Sequence, residues 1–372
     1  MTPTMQPCTT RIIPLLIIFL ACSFTPPTSA NPPLERITVS ADQTHFITAD
    51  SHKRFIVWGV NYDHDNHDNR LLEDYWHHEW DTVADDFSEM HNLGVNLVRI
   101  HLQLARFMKS EIETNQANLN RLADLLALAQ KNSLYLDITG LGCYNKKDVP
   151  DWYNQLDENH RWQVQARFWK AIAEVCKDSP IVFCYDLMNE PILPGKNKPA
   201  PDWLAGEFAG KHFVQYITRD LKGRTRIEVS KQWVRVLTDA IRQVDQSHMI
   251  TVGVIPWALT FKGAKPIFYD ARVNGPLDFV AVHMYPRLGE VDKALQALKV
   301  YKINKPLLIE ETFPLHCSID EEIKFINQTR KFADGWVSFY WGTTIEEYEA
   351  QGTLNAAIIA DWLKRYRTLI KQ

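Results

Sequence analysis

The sequence predicts an α/β fold, a single-domain (β/α)8 TIM barrel, on three observations. Eight short runs of β-branched and apolar residues recur along the chain. Between them lie longer stretches with apolar residues at helical spacing, and this alternation indicates βαβ units and a parallel sheet. No low-complexity linker or change of composition divides the 372 residues. Eight alternations over about 320 residues therefore favour one barrel over a doubly wound sheet.

The predicted strands are Phe55–Asn61, Asn96–His101, Leu134–Thr139, Ile181–Asn189, Met249–Pro256, Asp278–Tyr285, Pro306–Glu311 and Trp336–Trp341. Amphipathic stretches fill the connections, except that 257–277 has no clear helical pattern. The connection 192–226 is long and rich in Pro, Gly and Lys, which predicts a loop that shapes a cleft. Before the barrel, Ile37–Ser40 and His45–Thr48 flank a turn and predict a small hairpin that caps one end of the domain.

The first thirty residues have the pattern of an export signal. Arg11 is followed by the apolar run Ile12–Ala21, which is too short to span a bilayer. Two cleavage sites remain open: after Ala30, which gives a signal peptide of residues 1–30, or before Cys22, which gives a lipoprotein signal of residues 1–21 and a lipid anchor at Cys22. We expect an exported protein, secreted or periplasmic, with its catalytic domain in residues 31–372.

Four cysteines follow residue 30: Cys143, Cys176, Cys184 and Cys317. An exported chain permits disulfides, but the wide spacing of these cysteines in a large domain does not require them. Cys184 lies inside an apolar run, which predicts a buried thiol.

Composition and motifs exclude several classes of partner. The formal net charge of −4 provides no basic excess, so nucleic acid is not an expected partner. No glycine-rich phosphate loop follows a predicted strand, so we expect no cofactor. The cluster Asp63-His64-Asp65-Asn66-His67-Asp68 contains metal-ligand residue types. We interpret it as a solvated or substrate-contacting loop, expect no metal, and find no feature that implies a protein partner.

Two predicted strands end in carboxylates. The fourth strand ends at Asn189 and is followed by Glu190, and the seventh ends with Glu310 and Glu311. The active site of a TIM barrel lies at the carboxyl ends of its strands, and the fourth and seventh strands lie across its mouth. A retaining glycosidase needs two carboxyl groups about 5–5.5 Å apart, one as nucleophile and one as general acid/base. Opposed carboxylates at the ends of these two strands are geometrically compatible with such a pair.

The tripeptide Asn189-Glu190-Pro191, together with Lys305-Pro-Leu-Leu-Ile-Glu-Glu-Thr-Phe313, resembles glycoside hydrolase family 5 and its clan. These are retaining TIM-barrel enzymes that act on β-linked glucans and mannans. The resemblance covers nearly the whole chain after residue 30. It implies that Glu190 is the acid/base, that Asn189 binds the sugar 2-hydroxyl and that Glu311 is the nucleophile. Glu310, one position earlier on the strand, is expected to face the other side.

Other family positions also match. The resemblance implies that Arg99 pairs with the nucleophile, that His283 and Tyr285 line the site and that Trp341 forms the platform under the sugar. One position departs, because Thr139 stands where many relatives, notably the cellulases, carry His. Thr312-Phe313 also replaces the common Phe-Gly. These departures argue against a plain cellulase assignment.

The expected activity is hydrolysis of β-1,4-linked glucan or mannan in an oligo- or polysaccharide. Two alternatives stay open. The long 192–226 loop is compatible with an exo-acting glycosidase, because it could close one end of the cleft. The Thr139 departure leaves room for a barrel that binds carbohydrate without cleaving it.

Overall fold

The computed structural model of the chain describes residues 1, 2, 4, 34–65, 68–339 and 341–372. Within it, Leu34–Gln372 forms one compact unit. The apolar run of the predicted signal peptide, both predicted cleavage sites and Cys22 lie outside the described residues. In the part of the chain that is described, no helix is both long and apolar enough to cross a bilayer.

The strands, in chain order, are β1 (Ile37–Val39), β2 (Phe46–Thr48), β3 (Arg54–Phe55), β4 (Val57–Tyr62), β5 (Leu97–Gln103), β6 (Tyr135–Gly142), β7 (Val182–Asp186), β8 (Pro191–Ile192), β9 (Gln215–Tyr216), β10 (Met249–Thr251), β11 (Gly253–Val254), β12 (Val280–His283), β13 (Leu307–Thr312) and β14 (Gly335–Ser338). One parallel sheet has the order β10-β7-β6-β5-β4-β14-β13-β12-β11. Only Val252 separates β10 from β11, so these two pieces occupy one strand position. The sheet therefore closes as an eight-stranded barrel, and the predicted (β/α)8 fold is confirmed.

The helices are α1 (Leu72–Tyr75), α2 (Trp80–Leu93), α3 (Leu104–Phe107), α4 (Gln116–Lys131), α5 (Asp151–Asn154), α6 (Glu158–Cys176), α7 (Arg226–Arg242), α8 (Trp257–Thr260), α9 (Val291–Leu298), α10 (Ile319–Thr329), α11 (Ile345–Ala350) and α12 (Leu354–Ile370). Helix α7 illustrates why they form. Thr225 and Glu228 make a reciprocal capping box at its start. Val229, Trp233 and Leu237 recur at helical spacing and are buried on the barrel side.

The predicted hairpin is present as β1 and β2, and β3 adds a third antiparallel strand to it. The Phe46 ring lies 5.0 Å from the Phe183 ring and 5.1 Å from the Phe279 ring. Phe183 is near the start of β7, and Phe279 directly precedes β12. The small sheet therefore caps the amino-terminal end of the barrel, opposite the end where the strands deliver their last residues.

The two connections singled out from the sequence differ from the regular βα pattern. The segment 257–277 contains only the four-residue helix α8, as its weak periodicity indicated. The loop 192–226 contains parts of the short parallel pair β8 and β9 and the start of α7. The four cysteines at 143, 176, 184 and 317 are free, and Cys184 is buried as predicted.

Candidate active site

Glu190 projects into the mouth of the barrel through an unusual backbone conformation. Its φ is 47°, in the left-handed region that residues other than glycine seldom adopt and that recurs at functional sites. The N–H of Glu190 donates to the carbonyl of Gly253 at 3.0 Å, which holds this bend against the neighbouring strand. The chain after β7 therefore turns sharply at the residue that carries the carboxylate.

Glu311 reaches the same space from β13, and Glu310 comes with it. Val282 pairs with Ile309, but the next residue, His283, pairs with Glu311, so the register shifts by one residue. This bulge breaks the alternation of side chains along the strand. Glu310 is consequently buried on the same side as Glu311, where it contacts His283, and the expectation that it faces away is wrong.

His283 links the three carboxylates. Its Nδ1 lies 2.9 Å from Glu190 Oε1 and 3.4 Å from Glu311 Oε2, and its Nε2 lies 3.2 Å from Glu310 Oε2. Burial opposes a charge on the ring, but Glu311 and the hydrogen bonds to Glu190 and Glu310 outweigh it and raise the pKa of His283 to about 10. The ring is therefore an imidazolium at neutral pH, with both N–H groups directed at carboxylates.

Arg99, on β5, holds the other side of Glu311. Its Nη1 donates to Glu311 Oε1 at 2.6 Å and to Asn61 Oδ1 at 3.0 Å. Its Nη2 donates to Asp186 Oδ2 at 2.8 Å and to Asn189 Oδ1 at 2.9 Å. A buried guanidinium is tolerated only when carboxylates and hydrogen bonds replace its water. Arg99 therefore fixes strands from both sides of the barrel around Glu311.

Tyr285 completes the surroundings of Glu311. Its hydroxyl donates to Glu311 Oε2 at 2.7 Å, and burial raises the pKa of Tyr285 well above its usual range, so the phenol is neutral. Burial also raises the pKa of Glu311, while His283, Arg99 and this hydroxyl oppose the rise. Arg99 thus lowers the pKa of Glu311, but burial has the larger effect and raises it.

Asn189 and Thr139 lie beside these groups. Asn189 Nδ2 donates to the carbonyl of Phe213 at 3.0 Å, so its amide connects Arg99 to the 192–226 loop. Thr139 is buried below the cleft, and its hydroxyl donates to Asp186 at 2.9 Å. Thr139 therefore holds Asp186, which in turn accepts a hydrogen bond from Arg99.

Trp341 is not brought into the cleft. It is 1% exposed and packs beside Tyr62, with 6.0 Å between the ring centroids. Strand β14 ends at Ser338, earlier than predicted, and Phe339 is one of several aromatic residues that line the cleft. Trp341 therefore lies outside the cleft, and the platform that the resemblance implies at this residue is not present in the structure. The cleft has a volume of about 250 Å³, and its lining comprises Asn189, Glu190, Gly206, Phe208, Phe213, Val214, Tyr285, Glu311, Leu315, His316 and Phe339.

Two clusters of residues contain the side-chain types that bind metals. Among the described residues, Glu190, His283 and Glu311 have ligand atoms within 4.8 Å of one another. Both ring nitrogens of His283, however, already face carboxylate oxygens of the protein. In the 63–68 cluster, Asp63 Oδ1 lies 2.6 Å from His64 Nδ1 and Asp65 pairs with Arg70 at 2.7 Å, while residues 66 and 67 lie outside the described residues. Protein partners therefore already occupy one oxygen of Asp63 and both oxygens of Asp65, whereas Asp63 Oδ2 is buried without a hydrogen-bond partner among the described residues.

Sequence reasoning missed the buried layer beneath the cleft. Glu310, Asp186 and Asp137 are fully buried around Arg99. Gly253 leaves space for the side chains of Glu310 and His283, because a Cβ at this position would lie 2.2 Å from Glu310 Oε2 and 2.7 Å from His283 Nε2. The available signal was an acidic residue inside an otherwise apolar strand, which β6, β7 and β13 each contain.

The fold and the facing carboxylates define a barrel hydrolase of the glycosidase type. The cellulase family model, glycosyl hydrolase family 5, matches residues 57–330. The chain therefore belongs to glycosyl hydrolase family 5 and is a glycoside hydrolase.

Solved structures share this fold at low sequence identity. An exo-β-1,4-mannosidase from Opitutaceae bacterium strain TAV5 superimposes with a TM-score of 0.66 at 16% identity, covering 90% of this chain and 62% of that one. A β-1,4-D-mannanase from Cryptopygus antarcticus gives 0.63 at 15%, covering 91% and 95%. A β-glucanase from Saccharophagus degradans gives 0.59 at 15%, covering 90% and 95%. No curated protein sequence matches the chain.

Proposed function

We propose that this protein is an exported retaining β-glycosidase that hydrolyses β-1,4-linked mannan or glucan. The observation that carries the mechanism is the close approach of the two carboxylates: ligand oxygens of Glu190 and Glu311 lie within 4.8 Å of each other. Retaining glycosidases have carboxyl groups about 5–5.5 Å apart, whereas inverting enzymes need about 6.5–9.5 Å to admit a water molecule. The separation in this cleft supports attack by a carboxylate.

In the first step, Glu311 Oε attacks the anomeric carbon, the glycosidic C–O bond breaks and Glu190 gives its proton to the leaving oxygen. In the second step, Glu190 removes a proton from water, the water oxygen attacks the anomeric carbon and the ester bond to Glu311 breaks. Two inversions produce net retention. Arg99 and Tyr285 hold Glu311 in position by donating to different oxygens of its carboxylate.

The substrate class rests on the family and on the shape of the site. The solved neighbours are named as mannosidase, mannanase and glucanase, which supports both β-linked mannose and β-linked glucose. Thr139 supports Asp186 and lies away from the cleft surface, which argues against the sugar contacts of a typical cellulase. Export rests on the apolar segment Ile12–Ala21, and lipid attachment at Cys22 remains the alternative to cleavage after Ala30.

The test is a screen of β-mannans, β-glucans and aryl β-glycosides, with sizing of the products. Release of reducing sugar from at least one β-1,4-linked substrate is expected. Carbohydrate binding without turnover of any substrate at high enzyme concentration would instead identify a non-catalytic barrel.

A further inference from the structure

The middle of the 192–226 loop crosses one side of the barrel mouth, whereas residues near its two ends line the cavity beside Trp257. The loop begins after β7. Hydrogen bonds hold it to the end of β6 and to the segment that follows β4. His212 N–H donates to the Tyr144 carbonyl at 2.8 Å, and Gln215 Nε2 donates to the Leu141 carbonyl at 2.9 Å, both at the end of β6. The Phe213 ring lies 4.9 Å from the Tyr144 ring.

Lys211 fastens the far end of this loop. It is only 2% exposed, which is rare for a lysine. Its Nζ donates to the Asn69 carbonyl at 2.9 Å and to the Asn69 side chain, in the loop after β4. Burial lowers the pKa of Lys211, and the negative charges of Asp63 and Asp65 oppose that change. Withdrawal of Lys211 would break both of these hydrogen bonds and leave the Asn69 groups without their partner, so this contact favours the closed position of the loop.

The 192–226 loop covers the glycone side of the cleft, which holds the sugar whose anomeric carbon is attacked. By family resemblance, Asn189 binds the 2-hydroxyl, which is carried by the ring carbon next to the anomeric carbon. The same Asn189 amide donates to the Phe213 carbonyl of the loop. Phe213, Val214 and Phe208 of this loop wall the cleft, whose 250 Å³ is below the about 300–1,000 Å³ of pockets for drug-sized ligands. The space suits one sugar ring.

The opposite side, beyond β10 and β11, carries exposed aromatic residues. Trp257 is 40% exposed and Phe261 is 59% exposed, with their ring centroids 5.9 Å apart. They wall a separate cavity of about 580 Å³ whose lining includes Pro191, the residue after Glu190. Exposed aromatic faces of this kind provide stacking surfaces for the apolar faces of sugars. The leaving-group portion of a chain therefore has a binding surface on this side.

We propose that the 192–226 loop closes the glycone side of the cleft, so that the enzyme binds the non-reducing end of a β-1,4-linked chain and removes one sugar at a time. The rest of the chain leaves past Glu190 and lies along Trp257 and Phe261. This inference rests on the proposed hydrolysis and specifies which bond of the chain is cut.

The test uses β-1,4-linked manno- and gluco-hexasaccharides labelled at the reducing end. Labelled penta-, tetra- and trisaccharide are expected to appear in that order, with free monosaccharide as the first unlabelled product. Early labelled mono- to trisaccharide would show internal cleavage and overturn the inference while leaving the proposed function intact. Absence of turnover on these substrates and on aryl β-glycosides would instead overturn the proposed function.

Loop variants test the cause. Lys211→Met is expected to release the loop and add early internal products, whereas Lys198→Met, at an exposed lysine of the same loop, keeps the wild-type order. Melting temperatures establish that each variant is folded. Because Lys211 is buried, Phe208→Ala at the exposed tip provides a second variant with the same expected direction. An unchanged product order in both would contradict the assignment of this loop as the wall.

The open side has its own variant. Trp257→Ala is expected to raise the ratio of KM for the hexasaccharide to KM for an aryl β-glycoside by about tenfold, the loss of roughly one stacking contact. Leu354→Ala, at an exposed apolar residue on α12, is the matched control. An unchanged ratio for Trp257→Ala would show that the chain does not pass over this surface.

Discussion

The two ends of the barrel are filled by opposite kinds of residue. At the amino-terminal end, the rings of Phe46, Phe183 and Phe279 pack against one another with centroids 5.0–5.5 Å apart. At the carboxyl-terminal end, Arg99 and His283 lie among buried carboxylates. One end gains free energy by removing apolar surface from water, and the other places charge where it is costly. The difference separates the part that stabilises the barrel from the part that reacts.

The charged end is tolerated because Arg99 and His283 each contact carboxylates there. Burial raises the pKa of Asp137 well above its usual range. Burial also opposes ionisation of Glu310, but Arg99 and His283 outweigh it and hold the pKa of Glu310 below its usual range. Two cationic side chains therefore lie among four buried carboxyl groups, those of Asp137, Asp186, Glu310 and Glu311. Removal of one charge is expected to disturb the others, whereas an apolar substitution at the opposite end is expected to act on packing alone.

The largest effect is expected at the nucleophile. Glu311→Ala should lower kcat by roughly 10⁴–10⁶-fold, because the covalent step is lost. Added azide should restore part of the activity and yield the glycosyl azide of inverted configuration, measured by NMR. A variant with near wild-type activity would show that Glu311 is not the nucleophile.

A smaller effect is expected one residue away. Glu310→Gln should lower kcat by up to about 10²-fold, since His283 loses one of its three carboxylate partners. The pKa of His283 is raised, so its charge is lost as the pH rises; without Glu310 this pKa falls and the alkaline limb of kcat/KM moves to lower pH.

The same linkage applies to stability. In the wild type, the contribution of charged His283 to the free energy of unfolding is fully present below about pH 6.5 and is lost as the pH rises through about 10. The matched control for Glu310→Gln is Glu322→Gln. The Glu322 side chain is equally buried, but it accepts a hydrogen bond from Thr312. An alkaline limb that moves equally in both variants would exclude the specific role of Glu310.

The smallest effect on catalysis is expected at the apolar end. Phe46→Ala should lower the free energy of unfolding by about 3–5 kcal/mol through loss of buried contacts and formation of a cavity. Below its melting temperature, kcat should stay within about twofold, because the catalytic groups lie at the other end of the barrel. Ile47→Ala, on the half-buried face of the same strand, should cost much less. A large fall in kcat for folded Phe46→Ala would contradict the separation of the two ends.

The sequence predicted the apolar end and the barrel well, because alternating apolar runs follow directly from burial. All eight strand positions and the hairpin are present. The charged end was only partly predictable. A one-residue bulge between His283 and Glu311 rotated Glu310 inward, and no local pattern signals that insertion. The early end of β14 likewise left Trp341 outside the cleft, because strand ends depend on tertiary contacts that propensity does not encode.

The central claim is that Glu190 and Glu311 act as acid/base and nucleophile in a double displacement. It is tested most directly by NMR of the first product released from an aryl β-glycoside, before mutarotation. The account predicts the β-anomer as the initial product. Initial appearance of the α-anomer would demonstrate inversion and contradict the mechanism, whatever substrate the enzyme prefers.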